Sequence, residues 1–417
     1  MDRLKEPDRS EALLLLGESF QEQGRMPESM EQLNLVSDSA CHAVVSRRNV
    51  LQLFAKRYVG SRSLDDNRRL AFQLLDEADL AVETNTRLRA LWMAATCIRD
   101  LREAALLSEV QARLDRESWL DLSTEDKAEF ALARAFCFYF SGENRRSVGF
   151  VTEIVRELEA RGISNSVYLS LITGLAAMHA SLGDYPGAVQ LGVKAVRVAS
   201  RVGAERRMRM AAGNLSLAHC RMGNVPAQLH WANKSAAPLD GSYGLFHHYQ
   251  VQHLRAQAYA MMGRTLESLE ALAEGDQVNG FPVPTYLRQA WHLKKADVFA
   301  LLGRGAEALR SARAGTANGL SKSQSDLFSG PHARWSARVA VEDGEGMSAV
   351  RNMLRGHLEA GDRLDRLDQI EILNAMVWMD AKEGIVSQAE QAEMWRRLGE
   401  VPIGVTNQLR LLGMLDL

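Results

Sequence analysis

The sequence predicts an all-α protein: a right-handed α-solenoid of about ten stacked helix–turn–helix hairpins, built as a single array over residues 1–417. Three observations predict it. Glycines recur about every forty residues, the stretches between them carry apolar residues at helical spacing, and two columns of small residues keep fixed distances from each glycine.

The glycines are Gly142, Gly183, Gly223, Gly263, Gly303, Gly344 and Gly384, at intervals of 41, 40, 40, 40, 41 and 40 residues. Periods of this size belong to repeat arrays. Before Gly183, the stretch from Tyr168 to Leu182 repeats its apolar residues at three and four. After it, the stretch from Ala188 to Ser200 does the same. Glycine lets a chain leave one helix in a left-handed conformation and begin the next, so each glycine is read as the bend of a hairpin.

Seven positions before the bends stand Gly17 (for a bend at Gly24), Ala135, Ala176, Ser216, Ala256, Ala296, Ala337 and Val377. Five positions after them stand Ser29, Ser147, Ala188, Gln228, Ser268, Ala308, Ala349 and Ala389. Seven of eight in each column are Gly, Ala or Ser. Helices approach closely only where the side chains at their crossing are small, so these columns predict the contact within each hairpin.

Along the chain, residues 10–37 read as a clear first repeat, 40–125 as degenerate repeats, 126–399 as regular repeats and 400–417 as a C-terminal cap. In the degenerate part Gly60 and Arg99 are candidate bends, while Leu53 and Trp92 break the small column. Pro238, Gly241, Gly280, Pro282 and Pro284 suit loops between hairpins. Pro331 suits a first helical turn, where its missing N–H is not needed.

The residues Leu175-Ala176, His179, Gly183-Asp184-Tyr185 and Ala188, like Leu16-Gly17, Phe20, Gly24 and Ser29, resemble the tetratricopeptide repeat. The period exceeds that family's usual length of about 34 residues. It is similar to the stretched repeats of kinesin light chains and of the sensor arms of bacterial signal-transduction ATPases and maltose-regulator-type activators. The resemblance implies a concave groove, lined by first helices, that grips a peptide or partner protein through Asn, Lys and Arg.

Composition narrows the function. Fifty Lys+Arg against 52 Asp+Glu leave a formal charge of −2, so nucleic acid and anionic membrane are not favoured partners. Cys41, Cys97, Cys137 and Cys220 stand at least 40 residues apart without a C-x-x-C pair, which suits separate reduced thiols in the cytoplasm. No signal peptide or membrane-length apolar run is expected, and no nucleotide-binding, hydrolase or zinc-protease motif occurs. The chain is therefore expected to need no cofactor or metal and to catalyse nothing.

His247, His248 and His253 lie five and six residues apart across the cluster, which fits a helix start better than a metal site. His179 and His219 take a position held by Tyr259 in the next repeat and read as packed aromatic substitutes. The basic run Lys194, Arg197, Arg201, Arg206, Arg207 and Arg209 reads as a solvated rim, or alternatively as a contact for an acidic protein segment. Trp335, Trp378 and Trp395, with Met376, Met379 and Met394, read chiefly as core.

Counting helical faces from the bends points to Asn214, His253, Gln257, Lys294, Asp297, Arg334, Arg338 and Asn374 as groove residues. Arg forks onto carboxylates, and Asn offers a donor and an acceptor to a peptide bond. The expected function is an adaptor or sensor binding a partner protein or peptide in a regulatory or defence-type complex. The alternatives are a peptide- or small-molecule-responsive regulator of the quorum-sensing receptor type, and a positioning subunit for an associated protease or nuclease.

Overall fold

A computed structural model describes residues 8–58, 64–101, 103–141, 143–236, 244–278, 283, 285–317, 329–344, 346–359, 366–385 and 388–399. Gly60, Gly142, Pro238, Gly241, Gly280, Pro282, Pro284 and the expected cap at 400–417 lie outside the described residues. Within them the chain forms twenty α-helices and no strand.

The helices pair as ten hairpins. The first five are α1 (Asp8–Gln23) with α2 (Met26–Asn34), α3 (His42–Tyr58) with α4 (Leu64–Leu80), α5 (Thr84–Leu101) with α6 (Ala104–Leu114), α7 (Thr124–Ser141) with α8 (Asn144–Ala160), and α9 (Ser166–Ser181) with α10 (Tyr185–Arg201). The second five are α11 (Glu205–Arg221) with α12 (Val225–Ser235), α13 (Gly244–Met261) with α14 (Thr265–Asp276), α15 (Thr285–Leu301) with α16 (Gly305–Thr316), α17 (Ser329–Asp343) with α18 (Met347–Leu358), and α19 (Arg366–Lys382) with α20 (Gln388–Gly399). The degenerate stretch thus keeps the hairpin plan. Its second bend falls between Leu101 and Ala104, three to four residues beyond Arg99. Pro331 lies in the first turn of α17.

The bends are made as the glycine spacing requires. Gly24, Gly183, Gly223, Gly263, Gly303, Gly344 and Gly384 all have positive φ, between 67° and 83°. At Gly263 the amide donates to the Ala260 carbonyl and the Arg264 amide to the Tyr259 carbonyl, 3.0 and 2.9 Å away. These bonds close a Schellman end, which satisfies carbonyls that the helix leaves open. The same pair recurs at Gly183, Gly223 and Gly303. The next helix then starts at once: Asp184 and Asn224 cap α10 and α12 through the amides of Gly187 and Ala227, and Pro186 and Pro226 occupy their first turns. Where the family-like aromatic stands, four residues before the bend, the residue after the glycine covers it. Arg25, Arg264 and Arg304 lie over Phe20, Tyr259 and Phe299, and His179 Nδ1 sits 2.7 Å from Asp184 Oδ2.

The two small columns meet. The hydroxyl of Ser147 donates to the Ala135 carbonyl at 3.3 Å, that of Ser268 to Ala256 at 2.8 Å, and that of Ser216 to Gln228 at 2.8 Å. Each bond joins the two column positions of one hairpin, so the helices touch backbone to side chain there. Gln228, the one large residue of its column, sends its amide nitrogen to the Leu254 carbonyl of the next hairpin at 2.9 Å. The last two hairpins depart from the rule: Ala349 and Ala389 are exposed. In the ninth, a second left-handed glycine, Gly346, follows Gly344 and re-aims α18, which packs through Met347, Val350, Met353 and Leu354 instead.

Between hairpins, glycines again mark the closest approaches. A Cβ at Gly192 would lie 2.7 Å from Leu215, and one at Gly275 would lie 2.2 Å from Trp291. First helices stack on first helices, and one apolar core runs without a break from Leu13 to Ala211. The winding also brings distant hairpins together. Helix α1 touches α11, five hairpins on. Tyr185, at the start of α10, is buried with Leu367, Ile370, Leu373 and Met394 of the last hairpin.

A φ of 73° with open space around the missing Cβ makes Gly263 a clean test of the bend. Gly263→Ala is expected to lower the stability read from urea unfolding by about 1–2 kcal/mol. Gly174→Ala, at an equally open position inside α9, is expected to raise it by about 0.5–1 kcal/mol. Shifts of the same sign would contradict the assigned backbone geometry.

Candidate interior binding face

Every sequence-predicted groove residue lies on a first helix: Asn214 on α11, His253 and Gln257 on α13, Lys294 and Asp297 on α15, Arg334 and Arg338 on α17, and Asn374 on α19. Within the curve, five of them fall into one cluster. Arg334 Nη2 and Trp335 Nε1 both donate to Asp297 Oδ1, at 2.6 and 2.8 Å, and Arg334 Nη1 donates to Glu371 Oε2. The Gln257 carbonyl oxygen accepts from Cys220 Sγ at 2.9 Å and from Gln228 Nε2 at 3.3 Å. His253 and Lys294 act on Asp297 and its surroundings through their charge.

Arg334 and Asp297 are nearly inaccessible, 5% and 4% exposed, so their charges are committed to the array itself. Removing a buried guanidinium from water opposes its charge, yet Asp297 and Glu371 hold it firmly protonated. Burial likewise opposes the Asp297 carboxylate, but Arg334 and His253 keep its pKa below the usual range. Breaking such a pair leaves the other charge uncompensated, at a cost of about 3–5 kcal/mol. Lys294 has no such excess of support: burial drives its pKa down to about 8, only partly opposed by Asp297, while Arg221 pushes it further down. Arg338 stands apart, bonded to Glu342 at 2.7 Å and stacked over Trp378. Asn214 is half-buried and Asn374 buried.

Two members of this cluster escaped the sequence reading. Glu371 lies on the same face of α19 as Asn374, one turn earlier, so a longer count along that face reaches it. Arg221 stands at the end of α11, with Nη2 3.5 Å from Asp368 and Nη1 4.0 Å from Glu371. That link joins hairpins distant in sequence, and no local spacing announces it.

A second polar region lies at the contact of α1 with α11. Arg89 bridges Glu18 and Glu129, Arg47 binds Glu11 and Glu18, and Arg207 binds Glu22 at 3.0 and 3.2 Å across 185 residues of sequence. Of these, Glu18, Glu22, Arg89, Glu129 and Arg207 line a cavity of about 270 Å³ whose lining comes entirely from first helices. The basic run is therefore not a uniform rim. Arg206 and Arg207 are buried, and the acidic segment that Arg207 meets is the chain's own α1. Lys194 and Arg209 pair locally with Glu159 and Glu205. His247 and His248 contact the Ser235 and Glu274 carbonyls, as a helix start would. Trp335 and Trp378 are core, whereas Trp395 is half exposed.

Because the unfolded Lys294 titrates near 10.5 and the folded one near 8, the unfolded chain binds more protons between those values. This group therefore makes stability rise as pH climbs from 8 to 10.5, and its full penalty is present below 8. Lys294→Met is expected to stabilise the protein at pH 7 by roughly 1–3 kcal/mol and to have little effect at pH 10.5, as read by urea unfolding at both values. An equal gain at both would refute the assignment.

No protein-family model and no curated protein matches the chain. Among solved structures, it is similar to a Rap protein complexed with competence and sporulation factor, at 8% identity and a TM-score of 0.50, covering 94% of this chain and 99% of that one. It is also similar to the Rap conjugation gene regulator of the plasmid pLS20 in complex with the Phr* peptide, at 13% identity and a TM-score of 0.44, covering 86% and 96%. No helix among the described residues is long and apolar enough to cross a membrane. At such identities the likeness is one of fold, and the fold is an all-helical, tetratricopeptide-like repeat solenoid along nearly the whole chain.

Proposed function

We propose that the chain is a non-enzymatic adaptor or sensor, acting in the cytoplasm, that holds a partner protein or peptide along the first-helix face between α11 and α19. What supports this reading is that five successive first helices carry polar residues, Asn214, His253, Lys294, Arg338 and Asn374, on a fold shared nearly end to end with a protein that was solved with a factor bound. Asn and Arg suit the work: one reads a peptide bond from both sides, the other forks onto a carboxylate. Asp297 and Arg334 serve the same face from beneath, since their mutual pairing fixes the helices that carry the others. The interior charges are tied into ion pairs that hold shape, which suits recognition rather than proton transfer. Four free cysteines, one of them exposed, fit a reducing compartment.

The fold of the Rap protein favours one concrete form of this reading: a regulator that responds to a short peptide, the quorum-sensing receptor type. A displayed library of short peptides selected against the full chain tests it. Selected peptides are expected to bind saturably, and Asn214→Ala with Arg338→Ala is expected to weaken them by about 2–3 kcal/mol, some thirty- to hundredfold, with helicity by circular dichroism unchanged. Failure to select any saturable binder, or selected peptides indifferent to both changes, would contradict the proposal.

A further inference from the structure

On its exposed helices this chain neutralises charge locally, with opposite charges three or four residues apart. Arg161 with Glu157, Arg264 with Glu267 and Arg396 with Glu393 are such pairs. The stretch from 185 to 236 departs from that habit. It holds eight Lys and Arg and a single acid, Glu205, in a chain whose formal charge is −2.

Half of these cations are committed within the fold. Arg206 and Arg207 turn in toward the first hairpins, Arg209 binds Glu205, and Arg221 reaches α19. The other four stand on second helices: Lys194, Arg197 and Arg201 on α10, and Lys234 on α12, where it is exposed over the Trp231 ring. Neither helix contains an Asp or Glu. Their C-terminal ends meet the same end of α11, where Arg209 donates to the Ala236 carbonyl.

Helix α10 buries Tyr185, Ala188, Gly192, Ala195 and Ala199. At about 100° per residue, Lys194, Arg197 and Arg201 fall on the opposite side in one row, spaced by three and four. Lys194 touches Glu159 of α8 at 2.6 Å. Arg197 and Arg201 are exposed and have no charge partner among the described residues. Like charges at this spacing destabilise a helix, as opposite ones stabilise it. The helix dipole favours Arg201 in the last turn, but the effect fades within that turn and does not account for Arg197. Val202, at the end of the row, is 55% exposed.

The neighbours on either side are acidic. Helix α8 carries Glu153 and Glu157, and α14 carries Glu267, Glu270 and Glu274 with no Lys or Arg. A nucleic-acid duplex has one negative charge per about 1.7 Å, roughly fifteen along the ~25 Å of α10. Four cations between acidic helices do not match that density, and the flanks would repel what the row attracts. An acidic protein helix does match. Its carboxylates, three and four residues apart, repeat at the spacing of Lys194, Arg197 and Arg201, and its width is that of one helix of the array.

We propose that the outer face of α10, extended by Lys234 of α12, is a docking surface for an acidic helical segment of a partner protein. Its carboxylates meet Lys194, Arg197 and Arg201, the two arginines by forked contacts, and an apolar residue beside them covers Val202. Because this surface lies on second helices, it is independent of the first-helix face, and the two can be occupied together.

Fluorescence anisotropy of the full chain at pH 7 tests it with three probes. These are a helical peptide with Glu three and four residues apart along one face and Leu beside them, the same peptide with Gln for Glu, and a short DNA duplex. The Glu peptide is expected to bind saturably and at least tenfold more tightly than the other two. Arg197→Glu with Arg201→Glu is expected to weaken it at least tenfold. Arg310→Glu with Arg355→Glu, the same change of net charge at exposed positions on α16 and α18, is expected to leave it within about twofold. Arg197→Glu alone turns two like-charge neighbours into opposite ones, so its urea midpoint is expected to rise, which checks the repulsion without any partner. No saturable binding of the Glu peptide, equal affinity for the two peptides, a duplex bound as tightly, equal loss in both double variants, or a lowered midpoint would overturn the proposal.

Discussion

Two helices joined by a tight bend can lie side by side only if little stands between them, and in this protein that constraint is met by hydroxyl-to-carbonyl contact. Ser147, Ser216 and Ser268 each spend a side-chain donor on the backbone of the helix opposite. A larger residue at those positions would both push the helices apart and remove a bond worth about 1 kcal/mol. The spacing so fixed within a hairpin fixes how the next hairpin sits, because Gly192 and Gly275 admit Leu215 and Trp291 from the neighbouring unit. Repetition of one close contact therefore sets the curvature of the entire array.

Curvature has an electrostatic consequence. First helices face the inside of the curve, and polar residues placed there lose water as the curve tightens. Burying a charge alone is prohibitive, so the inside carries acids and bases in mutually satisfying sets. Glu22 with Arg207 and Arg334 with Asp297 and Glu371 are such sets. Their net worth is small while both partners are present and large when one is removed. They consequently specify which turns of the array meet, more than they add to its stability. Lys294 is the exception that marks the limit: its share of negative charge is already taken by Arg334, and its pKa falls.

The bends, the pairing of helices and the contact columns were legible because they depend on residues close in sequence. Gly263 announces its conformation by being glycine, and Ser268 announces its crossing by being small. That Asn214 to Asn374 all stand on first helices was legible for the same reason, since helical phase runs forward from each bend. What escaped is what depends on winding. Arg206 and Arg207 look like solvated charges until α1 is brought across 185 residues to meet them, and Trp92 and Glu129 look like ordinary helix residues until six first helices enclose them. The failure of Ala349 to be buried has a local cause, the extra left-handed Gly346, which a strict forty-residue count treats as just another residue.

The two interior regions differ in how a guest would couple to the shape of the array. On the face from α11 to α19, Arg334 ties α17 to α15 and α19, so a guest of the proposed kind would meet first helices that are already clamped together. Around the α1 cavity, the charged groups in reach are themselves the ion pairs that tie α1 to α5 and α11. An anion admitted there would compete with Glu18 or Glu22 for Arg89 or Arg207 and oppose the closure. A ligand shifts a conformational balance only by its difference in affinity for the two states. An anion held there would therefore loosen the junction at which α11 returns to α1.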